Sequence, residues 1–285
     1  MPARHGADRE LPIEAVWAGV RVSGVSVAGR ETWFHLPDLA LCFDVGRCPT
    51  PLVPVKNVFL SHAHLDHAAG VPYWASQRRL GRLPAGVVRT EPSTVEAWRR
   101  LLALHEEMEG ARYDVTVEPM PPGERVLVRK DLSVTSFAAS HRVPTLGFVA
   151  SEVRRKLTSA WKGRGPDAVR AAVGRGEAVS EEVSVPLVSF CGDTSSRLFD
   201  TAPPEVFRSR LLLLECSFVS EADLHRARDW GHLHLAEVAE RADIFQNEVL
   251  VLTHLSLRSS PEEIRREIAK SLPASLARRA VPFLA

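Results

Sequence analysis

The sequence predicts an α/β fold in which two mixed β-sheets pack face to face and helices cover the outside. Three observations lead there. Short β-rich runs punctuated by Gly and Pro make up most of the chain, they fall into two successive blocks each closed by helical patterns, and no Gly- or Ser-rich linker parts the two halves. The reading is therefore one domain over residues 1–285.

In the first block, strand patterns run over Val20 to Val27, Thr32 to Leu36, Leu39 to Val45 and Val58 to Leu60. A helical pattern follows at Tyr73 to Leu80. A stronger one spans Pro92 to Glu109, with Pro near its start, Leu101, Leu102, Leu104 and Met108 at helical spacing and Gly110 at its stop. Strands return at Val115 to Val117, Glu124 to Val128 and Leu132 to Phe137. The second block repeats the scheme with strands Pro186 to Cys191, Leu211 to Glu215 and Val249 to Thr253, and helices Leu235 to Phe245 and Pro261 to Leu272. Ser260 followed by Glu263 gives the last helix a capping box.

Composition narrows the function classes. Of 285 residues, 45% are hydrophobic and 25% charged, which excludes collagen-like and disordered chains. The net charge of +1 excludes a protein that coats nucleic acid through overall positive charge, so any basic site is local. Aliphatic runs such as Leu211 to Leu214 are far shorter than the ~20 residues a membrane span needs. The N-terminus mixes charges and Pro where a secretory leader would be apolar, so a cytoplasmic address is expected. Cys42, Cys48, Cys191 and Cys216 form no C-x-x-C pair and read as reduced core thiols. His5, His35, His105 and His225 read as surface or helix-packing residues.

One segment departs from this balance. Between Arg142 and Gly176 lie Arg142, Arg154, Arg155, Lys156, Lys162, Arg164, Arg170 and Arg175 against only Glu152 and Asp167, a net charge of +6. With Gly163, Gly165-Pro166, Gly174 and Gly176, the segment reads as an arm leaving the body, able to grip phosphates.

The chemistry is concentrated after the apolar strand Val58-Phe59-Leu60, where Ser61-His62-Ala63-His64-Leu65-Asp66-His67 reads H-x-H-x-D-H. In an extended turn His62 and His64 point to one side, and Asp66 and His67 emerge as the chain bends into a helix, so one loop can serve two adjacent ions. At this chain's His and Asp content the pattern arises by chance in roughly one such sequence in 1,500. Further strand ends supply His141, Asp193 and His254. Imidazole and carboxylate suit zinc, with manganese or iron as alternatives, and a carboxylate can bridge two ions.

These motifs, with Gly192-Asp193-Thr194, resemble the metallo-β-lactamase superfamily, an αβ/βα four-layer sandwich with a dinuclear metal site at one edge of its sheets. From about Gly29 to Leu272 the chain is similar to the short-form ribonuclease Z family of tRNA 3′-processing endonucleases. The segments that carry the likeness are FDVGRCP at Phe43 to Pro49, HRVPTLGFV at His141 to Val149, KLTSAWKG at Lys156 to Gly163, LLECSF at Leu213 to Phe218, ARDWGHLHLAEVAERA at Ala227 to Ala242 and LTHLSLR at Leu252 to Arg258. The resemblance implies that His62, His64 and His141 hold one ion, Asp66, His67 and His254 the other, and that Asp193 bridges them. It also implies that Glu215 and His232 form the proton-donor pair, with His234 the competing position, and that Asp66 orients water.

The implied substrate is precursor tRNA, gripped by Arg154, Arg155, Lys156, Lys162 and Arg164, and the implied assembly is a homodimer. Departures from the family pattern are the single Gly-Pro pair of the arm, Ala69-Gly70 in place of two glycines, Leu214 in place of a His before the Glu, and Arg258-Ser259 in place of Arg-Tyr. They leave every expected ligand in place. The competing reading is a metal-dependent hydrolase of a small phosphodiester, ester, lactone or thioester on the same fold.

Overall fold

A computed structural model describes residues 11–284. His5 and most of the N-terminal segment read for a leader lie outside the described residues. The first sheet contains β1 (Ile13–Trp17), β2 (Val20–Val27), β3 (Glu31–Leu36), β4 (Leu41–Phe43), β5 (Asn57–Phe59), β6 (Gly86–Thr90) and β7 (Val115–Pro119), side by side in chain order. The second contains β8 (Arg125–Arg129), β9 (Leu132–Ala139), β10 (Thr145–Leu157), β11 (Ser180–Phe190), β12 (Leu211–Glu215), β13 (Val249–Thr253) and β14 (Ala280–Pro282), again in chain order.

The halves repeat one scheme. In each sheet the first four strands pair antiparallel and the last four, sharing the fourth, pair parallel. Parallel pairing needs crossovers, and these carry the helices, Val71–Leu80 and Val95–Glu109 in the first half and Leu235–Glu240 and Pro261–Ser271 in the second. Trp33, Trp74, Val88 and Trp98 pack between the first sheet and its helices, and Leu214, Leu235, Val238, Leu252 and Ile264 do so in the second half. Between the sheets lies a third core, in which Phe43 stacks on Phe148 at 5.8 Å and on Phe190 at 5.3 Å. This α/β sandwich is the predicted fold class.

The aromatic layer sits directly beneath the strand ends that carry the chemistry. Phe43 precedes Asp44, Phe59 lies two residues before Ser61, and Phe190 lies three before Asp193. Each strand therefore ends with a large apolar anchor and releases a polar loop at the same edge. Gly192 makes one of these exits possible: its φ is +60°, and a Cβ there would fall 2.9 Å from both the Leu146 carbonyl oxygen and the Ser61 Cβ.

Local differences from the sequence reading have physical causes. Leu39 to Val45 is extended only over Leu41–Phe43, because Pro37–Leu39 forms a 3-10 turn and Asp44 takes a φ of +53°. The helix predicted to reach Phe245 stops at Glu240. The segment read as an arm over 142–176 divides. Thr145 to Ala150 are buried strand within the second sheet, and only the outer part of the β10–β11 hairpin, closed by the helix Pro166–Gly174, stands clear. Lys156 pairs in register with Glu181 and Arg155 with Glu182, so acids of β11 offset part of the arm's charge. All four cysteines are buried free thiols. His35 is half-buried on β3, His105 lies on the helix Val95–Glu109 and His225 is exposed on the helix Leu224–Trp230.

Candidate metal centre

The seven residues expected to ligate converge at the sheet edge. Ligand atoms of His62, His64, His141 and Asp193 lie within 4.8 Å of one another, and so do those of Asp66, His67 and His254. Asp193 joins the sets: its Oδ2 is 3.7 Å from His62 Nε2 and 3.6 Å from His254 Nε2, and its Oδ1 is 3.4 Å from His67 Nε2. His64 occupies the N-cap position of the one-turn helix Leu65–Ala68, which turns Asp66 and His67 back toward the cluster. Asp66 Oδ2 accepts from the Gly29 amide at 3.0 Å and lies 3.5 Å from His254 Nε2.

Outer hydrogen bonds decide which nitrogen each ring presents. Ser61 Oγ donates to Asp44 Oδ2 at 2.7 Å, so it accepts from His62 Nδ1 at 3.0 Å and leaves His62 Nε2 facing the cluster. His67 Nδ1 donates to Asp44 Oδ2 at 2.7 Å. Ser217 Oγ donates to Glu215 Oε2 at 3.0 Å and therefore accepts from His254 Nδ1 at 2.9 Å. His141 Nδ1 donates to the Gly231 carbonyl at 2.9 Å, and its Nε2 is buried without a hydrogen-bond partner. Such an orphaned nitrogen, aimed among a carboxylate and two imidazoles, suits a bound cation.

Electrostatics agree. Burial opposes charge on Asp193, yet His254, His67 and His62 hold its carboxyl well below the usual carboxylate range. Burial likewise opposes charge on His67, but Asp193 and Asp44 bring its pKa up to about 10. Five imidazoles and two carboxylates therefore crowd one space, and a divalent cation would relieve that crowding by displacing protons.

His232 Nδ1 donates to Glu215 Oε1 at 2.9 Å and stands 4.0 Å from Asp193 Oδ2. Burial works against its charge, and Glu215 overrides this to hold its pKa at about 9. His234 is otherwise engaged. Its Nδ1 accepts from the Ala236 amide at 3.1 Å, its Nε2 donates to the Ser220 carbonyl at 2.9 Å, and it caps the helix Leu235–Glu240. The arm residues Arg154, Arg155, Lys156, Lys162 and Arg164 are all exposed on the hairpin and absent from the cluster. Arg154 is paired with Glu152, and Arg164 lies over the Trp161 ring at 4.6 Å.

Sequence reasoning missed Asp44, Ser61 and Ser217 as supports. A polar residue that ends an apolar strand was the available signal, Asp44 after Leu41–Phe43 and Ser217 just past Leu211–Glu215. A cavity of about 690 Å³ opens above the cluster, bordered by Arg142, Phe218, Arg226, Trp230, His232 and Arg258 among others.

A β-lactamase superfamily domain model matches residues 45–255. The chain is 32% identical over 267 residues to the chloroplastic tRNase Z TRZ2 of Arabidopsis thaliana, spanning 92% of this chain and 74% of that one. It belongs to the ribonuclease Z family of the β-lactamase superfamily. A second family member, tRNase Z TRZ1 of Arabidopsis thaliana, is 28% identical over 260 residues, covering 90% of this chain and 92% of the other. The metallo-β-lactamase fold protein YhfI from Bacillus subtilis superposes with a TM-score of 0.61 at 18% identity over 90% of this chain and 92% of that one, a likeness of fold. The superfamily match and the convergent His and Asp cluster together point to divalent-metal binding. Among the described residues no helix is long and apolar enough to cross a membrane.

Proposed function

We propose that this chain, working as one catalytic domain, is an endoribonuclease that hydrolyses the phosphodiester at the 3′ end of precursor tRNA. The reaction leaves a 3′-hydroxyl on the tRNA and a 5′-phosphate on the trailer. The observation that carries this reading is the His232–Glu215 pair, 2.9 Å apart at the rim of the cluster, in a chain whose relatives are ribonucleases Z.

His62, His64 and His141 would hold one cation, Asp66, His67 and His254 a second, and Asp193 both. Zinc fits this donor set best, with manganese or iron as alternatives. When bound, such a pair acidifies water and neutralises charge gathering on the phosphoryl oxygens. The remaining work falls to the chain. The Nδ1 hydrogen of His232 is committed to Glu215, so the proton for the departing ribose 3′-oxygen comes from Nε2. Asp66, fixed by the Gly29 amide, orients the attacking water.

Outside the cavity, Arg154, Arg155, Lys156, Lys162 and Arg164 grip tRNA phosphates, and in a homodimer each arm serves the neighbouring site. The deciding experiment maps the cut on a 3′-extended tRNA with and without chelator. A single chelator-sensitive cut at the trailer junction is expected, and chelator-insensitive or scattered cleavage would defeat the reading. Deleting 153–174 should cost activity on precursor tRNA and spare a small phosphodiester. Equal losses would make the arm a structural element.

A further inference from the structure

Trp230 is the most conspicuous side chain at the cavity that the proposed chemistry leaves without a task. It ends the helix Leu224–Trp230 and is 55% exposed although it is the largest apolar residue type, and it borders the cavity together with Arg142 and His232. Arg142, which follows His141, also faces the cavity, is exposed, and forms no ion pair with a described residue. Gly231 brings the two together. Its φ is +74°, a conformation strained for other residues, and a Cβ there would come 3.2 Å from Arg142 Cγ and 3.4 Å from His141 Nδ1, so glycine favours this close approach of the two segments.

The rim is also tied down by hydrogen bonds. The Gly231 carbonyl accepts from His141 Nδ1, and the His232 amide donates to the Ala227 carbonyl at 2.8 Å. The backbone just after Trp230 is thus tied to His141 and to the helix carrying Ala227, which sets where the exposed indole stands at the rim. An exposed indole on the same cavity rim as a guanidinium that forms no ion pair with a described residue is a combination suited to an unpaired nucleotide, the ring stacking on the base and the cation meeting a phosphate.

We infer that Trp230 and Arg142 form a nucleotide subsite that takes the last nucleotide retained on the tRNA, its base on the indole and its phosphate on the guanidinium. The tRNA side is chosen because His232, two residues from Trp230, faces the ribose oxygen of that same nucleotide. The inference rests on the endonuclease reading above, and the experiment keeps the two apart.

Binding of a 3′-extended tRNA is measured with chelator present, and single-turnover cleavage with metal. Both use intact RNA and RNAs made abasic at the last retained nucleotide or at the first trailer nucleotide. Trp230→Ala should weaken binding of intact RNA roughly 5- to 150-fold, while Trp230→Phe, which keeps a stacking face, should retain most of the affinity. With the last retained nucleotide abasic, wild type and Trp230→Ala should bind alike. Arg142→Gln should reduce the slope of log affinity against log salt by roughly 0.7, and Trp230→Ala should leave it unchanged. Equal losses from Trp230→Ala on intact and abasic RNA, or dependence on the trailer base alone, overturn the subsite. A wild type that binds but never cuts these RNAs sinks the endonuclease reading, and the binding data still decide the subsite.

Discussion

Asp44, just past β4, and Glu215, at the end of β12, each hold one histidine directly and a second through a serine. Asp44 accepts from His67 and from Ser61, which carries His62. Glu215 accepts from His232 and from Ser217, which carries His254. Three of these four histidines are expected ligands, and a nitrogen of the fourth, His232, also lies within 4.8 Å of ligand atoms of Asp193 and His254. His232 stands at the cavity with its side chain 12% exposed, and Glu215 takes further donors from the Thr194, Ser217 and Leu233 amides. On the proposed function, the same arrangement would be a fixed mount where both rings hold cations and a proton source where one ring meets the substrate.

The largest effect expected from breaking this parallel is at Asp44. Asp44→Ala removes the partner of a fully buried imidazole, so denaturant unfolding of the metal-free protein should show a loss of about 3–5 kcal/mol, and metal content should fall. A variant with wild-type stability and metal content would show that Asp44 is not a mount. At the other carboxylate, His232→Ala should lower turnover ~10²- to 10⁴-fold with metal content unchanged, and metal loss in that variant would reassign His232 as a ligand.

The same pair has a pH signature. Glu215 raises His232 above its ordinary value of 6.5 to about 9, so in metal-free protein its stabilisation is complete below pH 6.5 and is lost as pH rises through about 9. His67, held at about 10, keeps its own contribution to higher pH. Glu215→Gln should bring the His232 titration down, read by NMR of the ring. An unmoved titration would mean that Glu215 does not set it. Smallest are the serines: Ser61→Ala and Ser217→Ala should each weaken metal binding roughly 10- to 100-fold, and only Ser217→Ala should also disturb the His232 titration. Identical behaviour of the two would erase the distinction.

The residues that converge were legible because they follow the ends of apolar strands, and H-x-H-x-D-H packs four of them into one turn. His232 could be preferred to His234 only through family likeness. What separates them physically is a contact across the fold, His232 to Glu215, against a local capping role for His234. Asp44 went unassigned for the same reason, since its partners lie 17 and 23 residues away. Among strands, Gly86–Thr90 was missed as a short run with little alternation, yet it is central to the parallel pairs of the first sheet. Thr145–Leu157 was obscured because its last residues carry Arg154, Arg155 and Lys156. Charge there signalled an arm, and register with β9 and β11 makes it a strand.

The hairpin leaves the body by the same two strands whose inner ends reach His141 and Asp193. β10 runs 13 residues outward to Leu157, and β11 returns from Ser180 to Phe190. At ~3.3 Å per residue this is a stiff span of roughly 40 Å. On the proposed function, an RNA held at the tip would be spaced from the site by counted residues of this hairpin, so the geometry is that of a ruler.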